Sequence, residues 1–148
     1  MKLPFLLGRT IFGGFFLYSG IHHFTESKTM SQYAKYKGVP MPELAVKASG
    51  LALIVGGTSI LLGVKPKIGT AAVLGFLSTV SPVMHDFWNV DDPQQKQGEM
   101  VNFTKNLALL GGTLALMGVE EPWPMSVPVG QPSRIERARR FMKSPRAA

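Results

Sequence analysis

The chain has no cysteine among its 148 residues. That absence excludes a disulfide framework, an iron–sulfur cluster held by this chain and a thiol nucleophile. Redox chemistry would therefore need a borrowed cofactor or a partner. Histidine is scarce too, with three residues and neither an H-x-x-x-H nor an E-x-x-H spacing, so no metal site is expected. Adjacent His22 and His23 on a helix point about 100° apart and would need further ligands to close one. The pairs Gly56-Gly57 and Gly111-Gly112 lack both a preceding strand and the G-x-x-x-x-G-K-[ST] frame, which rules out a phosphate loop. Charge makes up 17% of the chain, and almost none of it falls inside the apolar blocks.

Those blocks carry the class. They run from about 3 to 24, 44 to 63, 68 to 88 and 102 to 119, each close to the ~20 residues that cross a hydrocarbon core. The first is too long for a signal-peptide core, and no small-residue cleavage motif follows it. Pro82 should kink the third near its end, as membrane helices tolerate. The turn Val64-Lys65-Pro66-Lys67 makes a tight hairpin of the second and third. The connection from Thr25 to Glu43, with Tyr33, Tyr36 and several lysines, suits a segment lying along the headgroups. Asp91, Asp92 and Pro93 mark a turn before the fourth. The fold expected is an all-α, polytopic integral membrane four-helix bundle over residues 1–119.

Residues 120–148 read as a Pro-rich, basic cytoplasmic tail. Pro122, Pro124, Pro128 and Pro132 keep it extended, and Ser133 with Glu136 forms a capping box for a short basic helix. Ile135, Ala138, Phe141 and Met142 share one side of that helix, so it should lie at the interface. Arg137 and Arg140 are its candidate lipid ligands. The alternative is a helix that docks on a partner.

The net charge is +7. Because the cations flank apolar spans, anionic headgroups explain them and nucleic acid does not. With four spans, the side holding both termini and the Lys65–Lys67 turn carries ten Lys and Arg against three acids, and the other side six against six. Positive charge inside then places both termini in the cytoplasm.

Small residues at helical spacing give each span a candidate inward stripe. These are Arg9, Gly13, Phe16, Gly20 and His23; Ser49, Ala52, Gly56, Ser59 and Gly63; Ala71, Gly75, Ser78, Pro82 and His85; and Lys105, Ala108, Gly112 and Ala115. At one membrane surface the stripes end on His23, His85 and Lys105, with Asn106 alongside. Facing one another, these would form a polar cap at the non-cytoplasmic end. The plainer reading of His22 and His23 is an interfacial pair. The functional one is proton exchange or a hydrogen bond to a quinone carbonyl. Lys105-Asn106 either anchors a helix end or closes the cap. Arg9, two turns inside the first span, should snorkel, meet a carbonyl-rich pocket or bind a lipid phosphate.

Several short motifs occur in order along the chain: Leu7-Gly8-Arg9, Tyr18-Ser19-Gly20-Ile21, Tyr33-Ala34 to Gly38-Val39-Pro40, Gly56-Gly57 with Leu62-Gly63, His85-Asp86-Phe87-Trp88, and Lys105-Asn106-Leu107 through Gly112. Their order and spacing resemble the DoxX family of small four-span bacterial membrane proteins. The resemblance extends to about Met117 and leaves the tail outside. It implies a bacterial inner-membrane protein with a quinone-linked redox role, like the thiosulfate:quinone oxidoreductase subunit that names the family, or an accessory role. Many members place an acid in span two, where this chain has Leu53.

Two functions follow. In one, the chain is an accessory subunit, without a covalent cofactor, packed into a larger redox, respiratory or photosynthetic assembly or into a homo-oligomer. In the other, a quinone headgroup sits on His23, His85, Lys105 and Asn106, with electrons from a partner. The absence of a complete catalytic constellation favours the first.

Overall fold

A computed structural model describes residues 2–128. The basic helix expected after Ser133, with Arg137 and Arg140, lies outside them. The described residues form five α-helices and no strand: α1 (Lys2–Thr25), α2 (Ser27–Tyr36), α3 (Pro42–Leu62), α4 (Pro66–Met84) and α5 (Pro93–Met117). A 3-10 turn, Phe87–Asn89, joins the last two. α3 and the stretch Pro66–Asn89 are long and apolar enough to cross a membrane.

Local chemistry explains most boundaries. Prolines open α3, α4 and α5, where the missing N–H costs nothing. Asp92 caps α5 by accepting from the Gln95 N–H at 2.7 Å. For that reason α5 starts nine residues before the expected apolar block. α3 ends on Gly63, whose φ of 68° is the left-handed cap glycine favours. The expected headgroup segment between α1 and α3 holds the helix α2, so the helices number five rather than four. The third block stays helical through Pro82 and stops at Met84, short of the expected end at 88.

α1 and α3 form the closest seam. A Cβ on Gly13 would lie 2.6 Å from the Leu61 nitrogen, one on Gly20 would lie 2.7 Å from the Gly50 carbonyl oxygen, and one on Gly57 would collide with the Leu17 nitrogen. Backbones meet here because no side chains intervene. α4 continues the packing, with Gly56 against the Gly69 carbonyl. The core of Phe16, Leu53, Ile60, Val73 and Leu77 sits between these helices, and Trp123 closes one end. Buried Thr70, Ser81 and Thr113 satisfy their hydroxyls on carbonyls four residues back.

The inward stripe expected on α1 faces inward, with Arg9, Gly13, Phe16 and Gly20 buried and His23 half-buried. On α3, Gly56 and Gly63 are buried, while Ser49, Ala52 and Ser59 are half-buried. Two stripes are corrected. Ala71, Gly75, Ser78 and Pro82 face out of the bundle, and α4 buries Gly69, Thr70, Val73, Leu77 and Ser81 instead. On α5, Lys105, Ala108 and Ala115 face out; Glu99 and Thr113 are buried, and Gly112 is half-buried against Phe12. On these helices the inner face mixes small and larger side chains, so smallness alone did not mark it.

The seam is testable by a methyl group. Gly13→Ala should lower the melting temperature in detergent, at a cost of about 1–3 kcal/mol from overpacking. Gly75→Ala, with nothing within 4 Å of its new carbon, should leave it unchanged. Equal melting temperatures would mean that α1 and α3 do not approach this closely.

Candidate functional site

At the end of the bundle where α1, α4 and α2 finish and α3 and α5 begin, five side chains lock together. Tyr33 and Lys37 stand one turn apart at the end of α2, so they share a face. Gly38, at φ 75°, then turns the chain away. His85 and Asp86 follow α4 directly, and Glu99 lies two turns into α5 before its apolar stretch. Lys37 Nζ donates to Asp86 Oδ1 at 2.5 Å and lies 3.9 Å from Glu99 Oε1. The Tyr33 hydroxyl donates to Glu99 Oε1 at 2.7 Å, and His85 Nδ1 lies 2.8 Å from Glu99 Oε2. Asn89 Nδ2 donates to Asp86 Oδ2 at 3.1 Å.

The side chains of Lys37 and Glu99 are 7% and 10% exposed, so neither charge could sit there unpaired. With Glu99 ionised, His85 Nδ1 carries a proton toward it, and Nε2 makes no hydrogen bond among the described residues. Burial raises the Glu99 pKa, but hydrogen bonds from His85 and Tyr33 and the charge of Lys37 outweigh it and hold the carboxyl below its ordinary value. Burial alone would lower Lys37. The hydrogen bond to Asp86 and the facing negative groups raise it instead. Burial and Glu99 push the Tyr33 phenol up.

The residues expected at this cap fare differently. His85 joins the cluster. His23 instead turns Nδ1 to the Ser19 carbonyl of its own helix at 2.7 Å and packs edge-on to Phe76 at 5.7 Å. Lys105 is exposed and Asn106 half-buried, and neither side chain forms a hydrogen bond among the described residues. Exposed His22 stacks on Tyr18. Tyr33, Lys37 and Glu99 were not foreseen; the only local signal was the four-residue spacing of the first two. No three His, Asp or Glu among the described residues are grouped to hold a metal ion.

The opposite end is built around Arg9, which is 3% exposed. Of the environments expected for it, the structure provides carbonyls: Nη1 donates to Pro124 O at 3.1 Å and Nη2 to Met125 O at 3.0 Å. Nε is buried without a partner among the described residues. These carbonyls belong to a strap, 118–128, that folds back from α5 across the bundle end. Trp123 is buried there against Phe5, with ring centroids 5.4 Å apart. Val127 N–H donates to Leu62 O, and Lys67 N–H to Glu121. Gly63 makes room, since a Cβ there would meet both Arg9 and Ser126.

Helices fit to span a bilayer, with polar groups gathered at the bundle ends, are the build of a small all-α membrane protein. The chain belongs to the DoxX family, whose model matches residues 5–86, more than half its length. No curated protein and no solved structure matches it. The matched region ends at Asp86, so Glu99 enters the cluster from beyond it.

The cluster sets a pH window. Glu99 contributes stability above the ordinary carboxylate value of about 4.3, and loses it as pH falls through its lowered folded value. The Lys37 contribution is complete below about 10.4 and is lost as pH rises through its raised folded value. A melting-temperature profile should therefore be flat between these limits and fall outside them. Glu99→Gln should cost about 1–3 kcal/mol near neutral pH and remove part of the acid limb; an unchanged acid limb would show that Glu99 is not the group responsible.

Arg9 carries a separate prediction. In a Trp88→Phe background, Arg9→Met should red-shift Trp123 fluorescence as the strap lifts, and cost roughly 1.5–3 kcal/mol. An unshifted spectrum would mean that the strap holds without the guanidinium.

Proposed function

We propose that the chain crosses the bacterial cytoplasmic membrane four times, through α1, α3, α4 and α5, and serves as a non-catalytic accessory subunit of a larger redox, respiratory or photosynthetic assembly. The observation behind this reading is the outward face of α4. Ala71, Gly75 and Ser78 are exposed there, and a Cβ on Gly75 would meet nothing within 4 Å. In lipid, small residues allow close helix approach, and on this face no helix among the described residues uses them. Ala108, Gly111 and Ala115 repeat the pattern on α5. With both termini cytoplasmic, as the charge balance favours, the strap lies on the cytoplasmic side and the five-residue cluster on the other.

The cluster suits a structural role. Its carboxylates are engaged by Lys37, Tyr33, His85 and Asn89, a self-contained arrangement that fixes helix ends. A quinone fits it poorly. The neighbouring cavity is lined by Tyr36, Lys37, Asp86, Asn89, Val90, Asp91, Asp92 and Gln95, whereas a quinone ring calls for mainly apolar walls. His23, Lys105 and Asn106, the other residues expected to hold it, make no contact with His85 through hydrogen bonds or ring stacking.

Mild-detergent purification with mass spectrometry and a quinone assay tests the reading. The wild type should bring down larger redox or pigment-bearing subunits at constant stoichiometry. Gly75→Leu should lose them while keeping its melting temperature. A lone bundle that retains quinone, and releases it on His85→Ala, would overturn the accessory role and establish a quinone site.

A further inference from the structure

A second polar feature shares the membrane end of the cluster and differs from it in one respect: its charges lack partners. A cavity of about 420 Å³ lies between α2 and the first turns of α3, lined by Ser27, Lys28, Ser31, Gln32, Lys35, Pro42, Glu43 and Lys47. Lys28, Lys35 and Lys47 form no ion pair within 4.0 Å among the described residues. One carboxylate, Glu43, faces three ammonium groups there, which leaves the cavity net positive.

The second observation is Ser31. It is 7% exposed, the one buried residue of the lining. Other buried helical hydroxyls in the chain turn back to a carbonyl four residues earlier, as in Thr70, Ser81 and Thr113. The Ser31 hydroxyl forms no hydrogen bond to any described residue. The residue is largely buried, and its unpartnered hydroxyl lines a cavity rimmed by cations. From this combination we infer that the groove between α2 and α3 is a binding site for a phosphate-bearing anion. The Ser31 hydroxyl donates to a phosphate oxygen, and Lys28, Lys35 and Lys47 neutralise its charge.

Two sources share that chemistry: the phosphodiester of an anionic lipid headgroup and free phosphate. Glu43 separates them. A headgroup carrying hydroxyls, such as glycerol, gives the Glu43 carboxylate a donor to accept from, whereas a bare phosphate dianion leaves the carboxylate facing like charge. The lipid source rests on the membrane-spanning reading; the phosphate-binding chemistry does not.

The test uses the full chain in detergent, with native mass spectrometry and titration by short-chain phosphatidylglycerol, short-chain phosphatidylcholine and inorganic phosphate. Phosphatidylglycerol should bind at one site and phosphatidylcholine should not. Lys28→Gln/Lys35→Gln/Lys47→Gln should weaken binding by about tenfold or more, and Ser31→Ala by roughly threefold, with melting temperatures kept. Lys96→Gln, an exposed cation elsewhere at the same end, should leave binding unchanged. Inorganic phosphate binding as tightly as the lipid, with the same variant pattern, would keep the site and assign it to the free anion. Phosphatidylglycerol binding that survives the triple substitution, or weakens equally with Lys96→Gln, would overturn the proposal. A chain that stays soluble without detergent and still binds phosphate would sink the membrane reading and leave the site standing.

Discussion

Backbone contact between α1 and α3 is the constraint on which the other positions depend. Gly13, Gly20, Gly50 and Gly57 occupy the crossing, and a Cβ on any of them would strike the opposite helix. Lipid offers no hydrophobic drive to hold helices together, so dispersion across a close seam must supply much of it. Once the two axes are this near, Phe16 and Leu53 are buried beside them and α4 can lay Val73 and Leu77 over the same core. The seam also sets the ends. Because α1 and α3 lie side by side, Arg9 comes within reach of the turn after α3, and the C-terminal end of α1 delivers α2 onto the start of α3.

The two ends solve the problem of buried charge differently. At Arg9 the guanidinium is held by main-chain carbonyls without a counter-ion among the described residues, so the strap that carries those carbonyls is a structural partner of the first helix. At the other end, opposite charges from α2, the α4 terminus and α5 neutralise one another around Glu99. Carbonyl dipoles tie one segment to one side chain. A network of ion pairs ties three elements together, and each partner removed would leave another charge exposed to a low dielectric.

How much of this the sequence revealed depends on what kind of residue marks each surface. The α1 stripe was legible because glycines and a lone arginine at helical spacing inside an apolar block have little use except close packing. The α4 stripe misled for a related reason: Ala71, Gly75 and Ser78 have the same spacing, yet the bundle interior there is filled by Thr70, Val73 and Leu77. Small residues mark a face that something can approach closely, and they do not say whether the approaching helix belongs to the same chain. The cluster was harder still. Tyr33, Lys37 and Glu99 sit in segments that read as polar connections, and the pairing of Lys37 with Asp86 spans 49 residues. His85 was recognised because it ends an apolar span; its partners have no such local signature. The prolines pointed to an extended segment, whereas the strap bends and turns at Pro124 and Met125 to fold back over the bundle, and the burial of Trp123 depends on a surface assembled by other elements.

The cluster and the lysine groove are mechanically connected through α2. That helix is ten residues long, too short to persist in water on its own propensity. It buries only Ser31 and Ala34, a modest apolar contact. Its hold on the bundle therefore comes largely from its C-terminal end, where Tyr33 reaches Glu99 and Lys37 reaches Asp86. Lys28, Ser31 and Lys35 lie on the same helix, within the turns that precede or interleave with those anchors. Their spacing opposite Glu43 and Lys47 is then a consequence of ion pairs formed on the far side of the helix. A charge network can in this way decide what the surface binds, by holding in register a groove whose own cations would otherwise push its walls apart.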